Sequence, residues 1–269
     1  MSVVIAPVDF SPASSNALLF AAEICRRTSS LLLVVHVMSK SSEEVQTKQL
    51  LEDLLSGLKK SSLTELNCQY SLSRGSLVTV LKTIITERLP RLVVMGTKGA
   101  TGLKRILIGS NTVKVLSKVR IPVLVIPEEA NFTNFGTQIK NRVVLATDLF
   151  ELKSMDVLSI LKQIALLIKD PKVRVLNVRP KHTRLHDLTK LERSALLHYF
   201  NPEIESDRVT VFGTNVLKGI RYYLDDHQDI GLVAMIARDS GSLIEKHYTR
   251  EMASHTSYPL LVLHDVRVK

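Results

Sequence analysis

Two hydrophobic rhythms alternate along the chain. Short, fully apolar runs such as "VVIAP" (3–7), "LLLVV" (31–35) and "LVVM" (92–95) have the character of central parallel strands buried on both faces. Between them, apolar residues recur three and four positions apart, the spacing of an amphipathic helix. Over 11–28, Ala17, Phe20, Ala21, Ile24 and Cys25 fall on one helical face, and Ser11 or Ser14 supplies an N-cap. Over 76–89 the face is Val80, Leu81, Ile84, Ile85 and Leu89. After residue 110 it is Val113, Leu116 and Val119. Strands alternating with helices predict right-handed βαβ units and an open parallel sheet.

The pattern occurs twice. "VVIAPVDF" (3–10) aligns with "RVVLATDL" (142–149), placing Asp9 on Asp148. "LLLVVHV" (31–37) aligns with "KVRVLNV" (172–178), and "RLVVMGTKG" (91–99) with "GLVAMIARD" (231–239). Gly75 meets Gly213, and "IPVLVIPE" (121–128) meets "YPLLVLHD" (258–265). Five matches in one order mark an internal repeat. The expected organisation is therefore two α/β domains of about five strands each, 1–128 and 142–269. A polar linker, 129–141, joins them.

Composition narrows the class. A hydrophobic content of 45% is enough for a real core. No apolar run approaches the ~18 residues that span a bilayer. The N-terminus reads as no signal peptide, and Cys25 and Cys68 are too few for a disulfide framework, so the expected compartment is cytoplasmic. The net charge of +10 is spread over both halves, which favours anionic ligands in general. There is no DNA- or RNA-binding motif. His182 and His186, four apart, lack a third ligand on their helix face, and neither cysteine belongs to a C-x2-C motif, so no metal site is expected.

The chemistry concentrates in "GTKGATGLKRILIGSNT" (96–112), which follows a strand end. Ligands of open α/β sheets sit beyond such ends. Gly109, Ser110 and Asn111 fall at a helix N-terminus, where free N–H groups and the macrodipole bind anions. Ser110 and Thr112 bring hydroxyls, and Lys98, Lys104 and Arg105 bring charge. No acid occurs between Glu87 and Glu128. These residue types suit an oligophosphate. The spacing is neither G-x-x-x-x-G-K-[ST] nor G-x-G-x-x-G; it is G-x2-G-x9-G-[ST], formed by Gly96, Gly99, Gly109 and Ser110.

With this motif, the strand ending in Pro7-Val8-Asp9, and "IPVLVIP", the chain resembles the universal stress protein family, in its ATP-binding branch. The resemblance extends over nearly the whole chain as two tandem, Rossmann-like domains. It implies that Pro7, Val8 and Asp9 flank the adenosine, with Asp9 hydrogen-bonding base or ribose. The alternative reading of Asp9 is a cap for the following helix. Val37, just past the second strand, would pack on adenine, with Met95 at its edge, and Gly96 would let the ribose approach. Gly99, Gly109, Ser110, Asn111 and Thr112 would wrap the phosphates. The resemblance also implies an intrachain pseudo-dimer through the last strands of the two domains.

The second half departs from the motif. Ile236 and Asp239 stand where Gly96 and Gly99 do; Ile236 would crowd a ribose, and Asp239 and Glu245 would oppose phosphate, so no ATP is expected there. The implied function is ATP binding by the first domain in stress response or regulation. The alternatives are a slow ATPase, since no base is recognisable near the phosphates, and an interaction protein with a vestigial site. Other adenine nucleotides, magnesium, an unknown protein partner and homo-oligomers stay open.

Overall fold

The computed structural model describes residues 2–38, 44–60, 65–97, 109–130, 140–149, 151–179, 195–238, 251–253 and 257–265. The chain divides into two compact units, one of residues 1–132 and 253–257 and the other of 133–252 and 258–269. Both are α/β, and all their described strand pairings are parallel.

The first unit runs β1 (Val3–Pro7), α1 (Pro12–Thr28), β2 (Leu31–Met38), α2 (Glu44–Lys60), β3 (Cys68–Arg74), α3 (Leu77–Arg88), β4 (Leu92–Gly96), α4 (Ser110–Lys118) and β5 (Val123–Ile126). Its strand order is β3-β2-β1-β4-β5. The chain moves outward from β1 through β2 to β3, then returns to the other side of β1 as β4. This reversal is a topological switch point, and it opens a crevice at the carboxyl ends of β1 and β4.

Every residue of β1, β4 and β5 is buried, as the unbroken apolar runs require. Helix α1 lies across β4 and β1 with Ala17, Phe20, Ala21, Ile24 and Cys25 all buried. Ser11 is its N-cap: its hydroxyl accepts from the Ser14 N–H at 3.2 Å. Burial pushes the Cys25 thiol up to about 12, so this cysteine behaves as a small apolar core residue.

Two helical faces differ from the spacing. In α4 the buried set is Thr112, Val115 and Leu116, joined by Val119 just beyond it, whereas Val113 is only half-buried. Thr112 therefore faces inward, because its hydroxyl has a buried partner. In α3, Val80, Leu81 and Ile84 are buried, Ile85 is half-buried, and Leu89 is 78% exposed. Leu89 leaves the face because it is the C-cap, in the left-handed region at φ 46°, ψ 53°. That conformation costs a side-chain-bearing residue ~1 kcal/mol. Leu89→Gly is expected to stabilise the protein by ~0.5–1 kcal/mol, read as a higher urea midpoint at unchanged slope.

The second unit runs β6 (Arg142–Ala146), a 3-10 turn (Met155–Leu158), α5 (Ser159–Ala165), β7 (Lys172–Arg179), a helical stretch at 195–200, β8 (Glu205–Phe212), α6 (Val216–Asp225), β9 (Ile230–Arg238) and β10 (Leu260–Asp265). Its order is β8-β7-β6-β9-β10, the same as in the first unit. Among the described residues no helix is long and apolar enough to cross a membrane. Residues 131–139 of the expected linker lie outside the described residues, as do His182 and His186.

Candidate functional site

A cavity of about 260 Å³ occupies the crevice between β1 and β4. The strand ends contribute Pro7, Val8, Asp9, Val35, Val37, Met95 and Gly96; the helix starts contribute Ser14, Leu77 and the Gly109–Thr112 turn. Of the residues proposed from sequence, Pro7, Val8, Asp9, Val37, Met95, Gly96, Gly109, Ser110, Asn111 and Thr112 all line it. Gly99 lies outside the described residues, together with Lys98, Gly102, Lys104 and Arg105.

The wall is apolar on the β2 side. Val37 lies within β2, which continues to Met38, rather than past the strand's end. Val35, two residues earlier on the same strand, lines the same cavity. Leu77, the first residue of α3, follows the Gly75 turn and the Ser76 cap, whose hydroxyl accepts from Thr79 N–H. None of Val35, Leu77 and Ser14 emerges from the sequence as a site residue. Val35 was findable from Val37 by the two-residue period of a strand. Leu77 and Ser14 had no such signal, since each looks like an ordinary first-turn helix residue.

Asp9 is not the cap of α1, a place that Ser11 takes; it braces that cap from the cavity side. It lines the cavity, and its Oδ1 accepts from the Ser11 N–H at 3.1 Å and the Ser11 hydroxyl at 2.6 Å. The Asp9 N–H in turn donates to the Ser14 hydroxyl at 3.3 Å. Phe10, between them, takes φ 61°, a left-handed conformation uncommon for a bulky residue.

The glycine end is organised differently from the expectation. A Cβ on Gly96 would lie 2.7 Å from the Ala13 carbonyl oxygen, so glycine is required here by the close approach of α1. The requirement comes from helix–strand packing, and an open path for a ribose is not needed to explain it. Thr112 donates its hydroxyl to the Gly96 carbonyl at 2.9 Å and is buried, so that hydroxyl anchors α4. The Gly109 N–H donates to the Thr97 carbonyl at 2.6 Å, and Gly109 takes φ −61°, which any residue can adopt. These two bonds pin the start of α4 to the end of β4.

Among the described residues, the pinned helix leaves its own first donors open. The first α4 bond runs from the Val113 N–H to the Gly109 carbonyl at 3.1 Å, so the N–H groups of Ser110, Asn111 and Thr112 have no acceptor within the helix. Ser110 and Asn111 are exposed, the cap makes no side-chain hydrogen bond, and no acid occupies the first turn. An anion at this position meets N–H groups and the positive end of the macrodipole. Among the described residues no cluster of three or more His, Cys, Asp or Glu could hold a metal ion.

In the second unit the corresponding strand ends carry an ion-pair network. Arg238, at the end of β9, donates to Asp148 Oδ1 at 3.1 Å, to the Glu151 carbonyl at 2.6 Å and to Asp265 Oδ2 at 3.3 Å. Asp265 is buried, and its Oδ1 accepts from the Lys153 N–H at 3.0 Å. Ile236 stands half-buried in β9 at the position of Gly96. Asp239 and Glu245 lie outside the described residues.

Comparison with known proteins bears on the first unit and on the fold. Residues 1–127 match the model of the universal stress protein family. Over the whole chain the fold is similar to that of a universal stress protein from Archaeoglobus fulgidus DSM 4304, at 17% identity and a TM-score of 0.75, with 98% of each chain covered. It is also similar to a functionally unknown protein from Pseudomonas aeruginosa PAO1, at 12% identity and a TM-score of 0.68, covering 98% of this chain and 93% of that one. At such identities the likeness is one of fold. No curated protein matches the chain.

Proposed function

We propose that the first unit, the segment that matches the universal stress protein family, binds an adenine nucleotide, ATP foremost, and that the protein acts in stress response or regulation through that binding. The observation that carries this reading is the convergence of strand ends and helix starts on one cavity, apolar at one side and rich in open amide donors at the other. Val35, Val37, Leu77 and Met95 offer a purine an apolar slot. Asp9 offers a carboxylate to ribose hydroxyls or an exocyclic amine. The first turn of α4 offers N–H groups to phosphate oxygens.

Binding is favoured over turnover. Phosphoryl transfer needs an oriented nucleophile and groups that meet the charge developing in the transition state. Asp9 is the sole carboxylate among the described lining residues, and its Oδ1 is engaged with Ser11. Ligand binding then acts by population: ATP alters how the protein meets a partner to the extent that two states differ in affinity for it.

Native mass spectra of the chain with and without ATP test the reading. The expected result is one nucleotide per chain, held by the first unit, because the second carries Ile236 in place of Gly96 and pairs Asp148, the counterpart of Asp9, with Arg238. Two per chain would overturn the assignment of a silent second unit. No adduct at millimolar ATP would overturn nucleotide binding itself.

A further inference from the structure

His36 is absent from the cavity wall, yet it touches both neighbours of Asp9. It lies on β2 between Val35 and Val37, which line the cavity, so its side chain projects from the opposite face of the sheet. Its Nδ1–H donates to the Val8 carbonyl at 2.8 Å. Its ring also meets the Phe10 ring, with centroids 4.9 Å apart at 39°. Val8 is the first residue past β1; its N–H still donates to the Val35 carbonyl at 2.9 Å. Its carbonyl, leaving the ladder, takes the imidazole as donor.

The second unit makes the same bond with a different side chain. Asn177, one residue past Leu176 as His36 is one past Val35, donates its Nδ2 to the Thr147 carbonyl at 2.9 Å. The Thr147 N–H donates to the Leu176 carbonyl at 3.0 Å. Asp148 follows Thr147 as Asp9 follows Val8. Leu149, like Phe10, has positive φ, at 64°. A side-chain donor at this position of the second strand therefore accompanies the left-handed turn in both units. What the two donors share is an N–H aimed at the carbonyl before the aspartate. A charge or an aromatic ring is not common to them.

We infer that His36 is a positioning residue for the site: it holds Val8 and Phe10 from behind, and so fixes the turn that presents the Asp9 carboxylate to the cavity. The contact with ligand is made by Asp9, and His36 acts through it. This inference rests on the nucleotide reading only for its consequence in binding; the holding of the turn stands apart from any ligand.

The test has two arms on the full chain. In the first, amide hydrogen exchange is followed without nucleotide in wild type, His36→Ala and His36→Asn. His36→Ala is expected to speed exchange at the Asp9 and Ser11 amides by roughly tenfold, what one hydrogen bond of this kind contributes. His36→Asn is expected to restore protection, as Asn177 does the same task in the second unit. Unchanged exchange in His36→Ala, or an Asn variant as fast as Ala, overturns the proposal; a uniform rise over the whole first unit does too, since it marks a general loss of stability.

In the second arm ATP affinity is measured for the same variants, for Asp9→Asn and for Asp9→Asn with His36→Ala. A positioning role predicts that the double variant binds no more weakly than Asp9→Asn alone, because the two changes act through one group. Independent, multiplying losses overturn it. Failure of wild type to bind ATP refutes the nucleotide reading, and the exchange arm still decides the role of His36.

Discussion

Ser110→Asp is expected to weaken ATP binding by about a hundredfold while leaving the fold as stable as before, or slightly more so. The two effects have opposite signs for one reason. The first turn of α4 is the positive end of a helix dipole, with no acid in it and Lys118 in its last turn. A carboxylate there compensates the dipole and contributes ~0.3–1 kcal/mol to stability. The same carboxylate stands where a phosphate would accept from the open N–H groups. Two like charges ~5 Å apart at an effective dielectric of ~20 repel by about 3 kcal/mol, which is the hundredfold loss. Ser110→Ala, by contrast, removes one hydroxyl and keeps every backbone donor, so less than a tenfold loss is expected. Calorimetric titration with ATP and urea unfolding read the two quantities separately. Binding by Ser110→Asp within threefold of wild type would show that phosphates do not lie at this helix end.

Arg238→Met is expected to destabilise the second unit by about 3 kcal/mol, without changing nucleotide affinity in the first. Arg238 is only 12% exposed at its side chain, and Asp265 is 3% exposed at its own. Removing the guanidinium leaves a buried carboxylate without its cation, the costly half of a broken ion pair. Methionine keeps much of the stem's apolar volume, so the loss reports charge rather than a cavity. Adding Asp265→Asn should recover a large part of the stability. The amide oxygen still accepts from the Lys153 N–H, and no buried charge remains to be matched. Thermal or urea unfolding of the single and double variants checks this. Equal losses in both would mean that the network is held by something other than the Arg238–Asp265 pairing.

The architecture was largely legible because it rests on uninterrupted apolar runs. Strands buried on both faces, such as β1 and β4, leave little else for their residues to do, and the two units share one strand order, as a repeated pattern allows. The cavity was legible for a related reason: strand ends and helix starts are fixed once the order of elements is known, so Asp9, Met95 and Gly109 were bound to meet.

What escaped the sequence were roles decided by neighbours far along the chain. Nothing in "VMGT" announces that Ala13 lies against Gly96, and a threonine at the third position of a helix does not reveal that its hydroxyl is committed to a carbonyl sixteen residues earlier. His36 drew no reading from its place in "LLLVVHV". Its partner is a backbone oxygen twenty-eight residues away, a group with no signature of its own. Leu89 fitted a helical face by spacing and left it by backbone conformation.

The left-handed turn at Phe10 and its counterpart at Leu149 have a bearing on engineering. The first unit carries this turn beside an open cavity, and the second carries it where Asp148 is paired with Arg238. The turn is thus part of the chassis and does not depend on cargo. A second binding pocket could be grafted onto the other unit without rebuilding its backbone there, since Asp148 already sits on the same turn with Asn177 behind it. The work of the graft would lie in vacating Arg238 and Ile236 and in transplanting a helix start with open amides.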